Sequence, residues 1–428
     1  MTRLQIRPYI VSSNAVESHK PLRILMVANG TPGVPPKTSG GLELVIFYLV
    51  KWLSHLGHVV TLVDTASNEE RDNNVDIAFC KIIKIRHFNL ARFHRRKTNY
   101  VMHELLRQLS MLSFSLKLLG IAPKILLSAR YDVIHVHYRC PFLALWTAKN
   151  LLRIKIPIVF HCHNAWMTRE DIPLLLRFFW FFDIIAVRKA DRIIALSRPV
   201  KRGLIRFYHA PKEKIVVIPN GVELPRFKKT LNIDQVNGVT IVCIANIVPM
   251  KNQEILIYAL SQLCKQFPNV RLMLVGEIVD KEYYRKLYLK VMELKLTKNV
   301  YFIGGVSHRK VWKFLETSDV TVLPSRFEAM SMAALECLAS GTPTLLSRIP
   351  SFTNMCEEGA ALFFNPYNAS ELVEGLLRII TDRKFREELS SKATEFVASR
   401  YSWHAIVMKV EELYVNLYSL KCPIYGEK

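Results

Sequence analysis

The amino-acid sequence predicts two doubly wound α/β domains in tandem. Three observations lead there. Short apolar runs without polar alternation, the pattern of strands buried on both faces, take turns with amphipathic helical stretches. The alternation fades in a polar connector, residues 229–238, and restarts at Val239. The 428 residues, 50% of them hydrophobic, are enough for two cores of ordinary size. The boundaries read as an N-terminal arm (1–20), a first domain (21–228), the connector, a second domain (239–396) and a C-terminal helix (397–428) expected to cross back to the first domain.

In the first domain, Leu22–Ala28 is a strand. The loop NGTPGVPPKTSGG leads into an amphipathic helix, Leu42–Leu56, which Gly57 ends before the strand Val59–Val63. Gly40 and Gly41, just before the helix, allow close approach of backbone to a ligand, although a flexible turn uses the same residues. The loop is not G-x-G-x-x-G, so a dinucleotide fingerprint is not supported. Val133–Val136 and Ile156–Phe160 are strands separated by a helix, Leu143–Leu152. The second strand ends in HCHN, which puts His163 where parallel sheets bind ligands, past the carboxyl end of a strand. His135 with His137, and His161 with His163, share strand faces and invite a metal reading. No carboxylate has a spacing that supports it, and no metal is expected. Ala190–Ser197, then a basic helix with Lys201, Arg202 and Arg206, and finally Ile215–Ile218 complete the domain.

Charge is concentrated in this half. Residues 1–230 hold 36 Lys and Arg against 15 Asp and Glu, whereas residues 231–428 hold 23 against 21. Arg92, Arg95, Arg96 and Lys97 precede an apolar helix over Tyr100–Leu119, and residues 172–187 are rich in Leu, Phe and Trp. Basic clusters beside such helices suit an anionic membrane surface; the same residues also suit two core helices with a solvated charged face. No nucleic-acid module is recognisable, so nucleic acid is not an expected partner. The eight scattered cysteines form no C-x-x-C pair, and with no leader pattern at the N-terminus a reducing, cytoplasmic setting is expected.

The second domain repeats the rhythm through strands at Thr240–Ala245, Arg271–Val275, Val300–Ile303, Val320–Pro324, Pro343–Ser347 and Ala361–Phe364. Its organising stretch is SRFEAMSMAALE, residues 325–336. A strand, a tight loop holding Glu328 and a helix capped by Ser331 aim unpaired N–H groups and a positive dipole end at one point, which suits a phosphate. Glu328 and Glu336 beside it are groups that grip vicinal hydroxyls, so the stretch reads as a nucleotide-sugar site; a core helix with two incidental carboxylates has the same letters.

Taken in order, GGLE with GHVVTLV, YDVIHVH, HCHN, ADRIIALS, IPNGVE, the P-x-K loop ending at Lys251, LVGE, and Glu328-x7-Glu336 running into ASGTP resemble the retaining glycosyltransferases of family 4, or group 1. The resemblance covers Leu22 to about Leu420 and implies the GT-B fold, two Rossmann-like domains facing across a cleft. It implies that Glu328 contacts the donor sugar and that Glu336 holds the ribose hydroxyls. Amides around Met330, Ser331 and Met332 would meet the diphosphate, Lys251 would neutralise it, Gly41 would approach it from the other domain, and His163 would lie beside the donor sugar. Asn246 stands where the family often has Arg, and Ala329 where it usually has Gly. The implied reaction moves a sugar with retention from a nucleoside-diphosphate donor, UDP- or GDP-linked, to a lipid-linked or saccharide acceptor in cell-surface polysaccharide or glycolipid synthesis. It is implied to run without a metal, at the inner membrane face. An epimerase or phosphorylase of the same fold, or a membrane-surface protein with a decayed donor site, remains open at this point.

Overall fold

The computed structural model describes residues 20–30, 33–36, 41–66, 79–90, 100–163, 179–225, 238–357 and 359–421, with positions 177, 227, 229, 231 and 233. The N-terminal arm up to position 19, most of the connector, Gly40, Asn164, the Arg92–Lys97 cluster and most of 172–178 lie outside the described residues.

The first domain runs β1 (Arg23–Val27), α1 (Gly41–His55), β2 (Val59–Thr65), β3 (Lys81–Ile85), α2 (Tyr100–Ser128), β4 (Val133–Val136), α3 (Arg139–Leu151), β5 (Ile158–Cys162), α4 (Trp180–Lys189), β6 (Arg192–Ala195), α5 (Arg198–Tyr208) and β7 (Ile215–Val217). The second runs β8 (Thr240–Ile244), α6 (Gln253–Leu263), β9 (Arg271–Val275), α7 (Lys281–Glu293), β10 (Val300–Gly304), α8 (His308–Thr317), β11 (Val320–Leu323), α9 (Met332–Ala339), β12 (Thr344–Ser347), α10 (Pro350–Met355), β13 (Leu362–Phe364), α11 (Ala369–Thr381), α12 (Arg383–Tyr401) and α13 (Trp403–Lys421).

The strands form two parallel sheets, ordered β3-β2-β1-β4-β5-β6-β7 and β10-β9-β8-β11-β12-β13. Helices cover both faces of the first sheet, which is why its central strands read as unbroken apolar runs: Leu25 and Val27 enter one core, Ile24 and Met26 the other. Strand order reverses between β1 and β4 and between β8 and β11, and a crevice opens at the strands' carboxyl ends at such points.

The last helix belongs to the first core. Trp403, Ile406, Val407, Val410, Leu413, Tyr414 and Leu417 of α13, three or four apart, pack with β1 and α1 residues. The chain crosses between domains twice, and the crossings run side by side, with Val222 N–H donating to Tyr401 C=O at 2.8 Å. At Gly221 a Cβ would come within 2.5 Å of the Trp403 ring, so only glycine fits there.

The helix expected over 397–428 is instead the end of α12, which runs to Tyr401, and a separate α13 from Trp403, broken where the chain recrosses to the first domain; three further elements differ from the sequence reading. β3, KIIKI, goes unannounced because an edge strand with lysines has no long apolar run. α2 continues to Ser128, past the expected end at Leu119 and through Pro123, because Ala122, Ile125 and Leu126 extend the buried stripe of Met111, Phe114 and Leu118. α3 begins at Arg139 rather than Leu143, with Pro141 in its first turn, where a missing N–H costs nothing. By length and composition, Glu104–Ser128 in α2 is long and apolar enough to cross a membrane, and 44% of that window is buried within the fold. Its outer face carries exposed Met102, Leu109, Leu116 and Leu127.

Candidate active site

The cavity between the two sheets, about 410 Å³, is lined by Gly41, His163, Asn246, Lys251, Glu328, Met330, Ser331, Met332 and Glu336. These predicted residues come from both domains. Gly40 lies outside the described residues.

The end of the cavity expected to take the diphosphate has two helix N-termini, one from each domain, close together. Ser331 caps α9, its Oγ accepting from Ala334 N–H at 3.3 Å, while helix geometry leaves the Met332 and Ala333 N–H groups without an intrahelical acceptor. Across the cleft α1 starts at Gly41, where a Cβ would lie 3.7 Å from Met332 Cγ. Lys251 closes a 3₁₀ turn after β8 and donates to Glu328 Oε1, which also accepts from Ser325 Oγ at 2.8 Å. The loops bearing this pair are knitted together. Arg326 N–H donates to Met250 C=O at 2.9 Å, and Asn252 Nδ2 donates to the carbonyls of Pro324 and Pro366 at 3.2 and 2.8 Å. A lysine and two dipole ends thus line one cavity. The first domain holds the loop from the other side, Ser197 Oγ donating to Ala329 C=O at 3.3 Å and Asn220 N–H to Met330 Sδ at 3.2 Å. Ala329 itself packs against the first domain's core, which gives its methyl a place where the family usually has Gly.

Asn246 is partly engaged already. Its Oδ1 accepts from Glu277 N–H at 3.2 Å and its carbonyl accepts from Gln253 Nε2 at 2.9 Å, so its first duty is to shape the loop. Glu336 is 4% exposed and lies 2.7 Å from His308 Nε2. The carboxylates of Glu336 and Glu223 raise the His308 pKa above its ordinary value, against burial, which alone would lower it.

His163 belongs to a stack of four. Its Nε2 is 3.0 Å from His137 Nδ1, while His135 Nε2 is 3.2 Å from His161 Nδ1, and Tyr414 of α13 bonds His135 Nδ1. The rings lie nearly parallel, His161 over His163 at 4.1 Å and His135 over His137 at 4.3 Å. Burial pushes His135 and His163 down to about 3 and His137 and His161 well below their usual range, so the stack is neutral at physiological pH. One nitrogen each of His135, His137 and His161 falls within 4.8 Å of the others, a ligand-like spacing that strand alternation alone did not show.

A model for glycosyl transferases group 1 matches residues 228–396, and one for glycosyltransferase family 4 matches residues 39–226. The chain belongs to this glycosyltransferase family. The uncharacterized glycosyltransferase MJ1607 of Methanocaldococcus jannaschii is 23% identical, over 94% of this chain and 100% of its own length. Sucrose-phosphate synthase of Thermosynechococcus elongatus superposes with a TM-score of 0.76 at 20% identity, covering 93% of this chain and 100% of that one. Anabaena HepE, solved with UDP-glucose, superposes at 0.71 with 18% identity, over 92% and 100%. At such identities the structures establish the GT-B fold that the sequence implied.

The glycosyltransferase site contains residues that sequence reasoning missed. His308 falls at the start of an ordinary surface-like helix, and only the fold brings it onto Glu336. Arg139 and Asp183, which line the first domain's side of the cleft, form a buried ion pair at 2.6 Å with no sequence signal, being 44 residues apart. A second cavity of about 520 Å³ opens beyond Met330, lined by Arg198, Arg348 and Arg400, and shares only Met330 with the predicted site.

Two buried carboxylates of the first domain should make its stability depend on pH. Glu43 of GGLE accepts from Asn29 Nδ2 at 2.8 Å, and Asp64 accepts from Val34 N–H at 2.9 Å; burial pushes both up to about 7. Their folded values exceed their unfolded ones, so the stability they contribute is full at acid pH and is lost as pH rises through about 7. Glu43→Gln with Asp64→Asn should therefore stabilise the protein at pH 8.5 by on the order of 2 kcal/mol. The gain should shrink toward pH 5 in denaturant titrations. A gain independent of pH would rule out buried ionisation as its source.

Proposed function

We propose that this glycosyltransferase transfers a sugar, with retention, from a UDP- or GDP-linked donor to a saccharide or lipid-linked acceptor in cell-surface polysaccharide or glycolipid synthesis. The observation that carries the reading is that Lys251, Glu328, the α9 N-terminus and Glu336 line one cavity between the domains.

In this reading the diphosphate lies between the two helix N-termini. Lys251 and the unpaired amides of α9 stabilise the charge that grows as the sugar–phosphate bond breaks. Glu328, already fixed by Lys251 and Ser325, meets the sugar's hydroxyls, and Glu336 meets the ribose. His163 is held neutral by burial, so it serves as a hydrogen-bonding wall for the sugar rather than as a cation. The leaving phosphate itself takes the acceptor's proton on the same face, and no metal takes part. Asn246 adds no charge to the diphosphate, which leaves Lys251 as its principal cation. HepE was solved with UDP-glucose, and that puts UDP-sugars first among the donors to try.

The acceptor would enter from the first domain, past Arg107, Tyr138 and the Arg139–Asp183 pair. An anionic membrane surface at the cytoplasmic face would bring lipid-linked acceptors there. Exposed Leu109, Leu116 and Leu127 on α2, with Lys117 and Lys124 beside them, support that docking, as does the basic balance of residues 1–230.

A thermal-shift panel of nucleoside diphosphates and nucleotide sugars tests the donor reading. At one hundred times its Kd, a ligand of the native state adds about 2.7 kcal/mol of stability. A saturable rise with UDP or GDP compounds, unchanged by EDTA, is expected. A flat response across the panel would refute the donor site.

A further inference from the structure

We propose that His308 is a positioning residue for Glu336, holding its carboxylate for a ribose diol and so making the site selective for ribonucleotide over deoxyribonucleotide donors. The inference rests on the reading of Glu336 as the ribose ligand and adds to it the device that makes Glu336 effective.

Glu336 sits in the second turn of α9, its side chain only 6% exposed, with the α9 N-terminus and the cleft ahead of it. A carboxylate so placed has two oxygens and several rotamers, and it must present an oxygen to two neighbouring hydroxyls at once. His308 opens α8, and its Nε2 lies 2.7 Å from Glu336 Oε1. One oxygen is thereby pinned and the other is left for the ligand, while the charge-assisted bond offsets much of the cost of burying the carboxylate.

The ring of His308 is itself gripped from both domains. Trp312, one turn along α8, meets it at 6.2 Å, and Tyr48 of α1 meets it edge-on at 6.3 Å. Tyr48 in turn stacks on Trp403 at 5.3 Å and donates to Glu223 Oε2 at 2.9 Å, and Lys51 donates to the other oxygen of Glu223 at 2.9 Å. The first domain therefore buttresses the residue that orients the second domain's carboxylate.

The experiment compares, by calorimetry, UDP with 2′,3′-dideoxy-UDP, and GDP with 2′,3′-dideoxy-GDP, on wild type, His308→Ala and His308→Gln. Wild type should prefer the ribonucleotide by roughly tenfold or more, the size expected for hydrogen bonds to a charged group. His308→Ala should lose most of that preference while binding the dideoxy form as wild type does. Gln, whose amide can stand in for Nε2 as donor, should restore the preference. Thermal unfolding without ligand should match wild type in the Gln variant. Equal binding of both forms by wild type would overturn the ribose role of Glu336. A wild type that discriminates, with His308→Ala discriminating just as well, would overturn the positioning role of His308 alone.

Discussion

Lys251→Ala should weaken UDP binding by roughly tenfold to a hundredfold, and should slow hydrolysis of the bound donor by about a hundredfold to a thousandfold. The larger loss belongs to the chemical step, because a fixed cation stabilises the departing diphosphate more than it stabilises the intact donor. Three features fix Lys251: the 3₁₀ turn that it ends, the left-handed Asn252 that follows, and its bond to Glu328. Asn252 ties that turn to β11 through Pro324 C=O, so removing the lysine side chain leaves the loop's own bonds in place. The loss should therefore appear in calorimetry and turnover with the fold retained, beyond the modest fall in unfolding temperature that leaving Glu328 without its lysine brings. Unchanged UDP affinity together with unchanged hydrolysis would mean that Lys251 serves only to neutralise Glu328, and the phosphate end of the cleft would have to be reassigned.

The architecture was legible because it rests on local pattern. Strands buried on both faces must be apolar without a break, and a capped helix after a tight loop has its own letters, so β1, β4, β8 and the Ser331 cap of α9 could be read directly. Legibility failed where the deciding force acts across the fold. β3 is half polar because it lies at a sheet edge, and α2 runs through Pro123 because the core beneath it rewards continued burial. At the site, Lys251, Glu328 and Glu336 carry charge beside loops and could be named, whereas His308 reads as a surface residue until α8 is set against α9. The histidines could be paired along each strand by alternation, but the contacts between His137 and His163 and between Tyr414 and His135 join elements far apart in the chain. Asn246, first seen as a missing cation, turns out to be a loop-forming residue that accepts from the Glu277 backbone.

Asp183→Ala should destabilise the fold by about 3–5 kcal/mol in denaturant titration, because it strands a buried guanidinium. In the sequence Asp183 only interrupts a run of Phe, Trp and Ile. In the fold its Oδ2 accepts from Arg139 Nη1 at 2.6 Å, with both side chains under one-tenth exposed at 8% and 2%. Arg139 Nη2 also donates to Gln108 Oε1 at 2.7 Å, and Gln108 Nε2 donates to Glu104, so the pair clamps α2, α3 and α4 together. Burial raises the Asp183 carboxyl to about 6, while Arg139 beside it pulls the other way; its contribution to stability is therefore full at acid pH and is lost as pH rises through about 6. Arg139 remains charged throughout, its pKa raised by the neighbouring carboxylate against burial. Because the cost comes from an unpaired charge, pairing Asp183→Ala with Arg139→Met should recover part of the stability even though the ion pair is gone. The double variant should still lose acceptor-dependent transfer while keeping UDP affinity, since both residues line the cleft from the first domain whereas Lys251 lines it from the second. If the double variant were less stable than either single one, the clamp would owe its stability to the ion pair itself rather than to the avoidance of a lone buried charge.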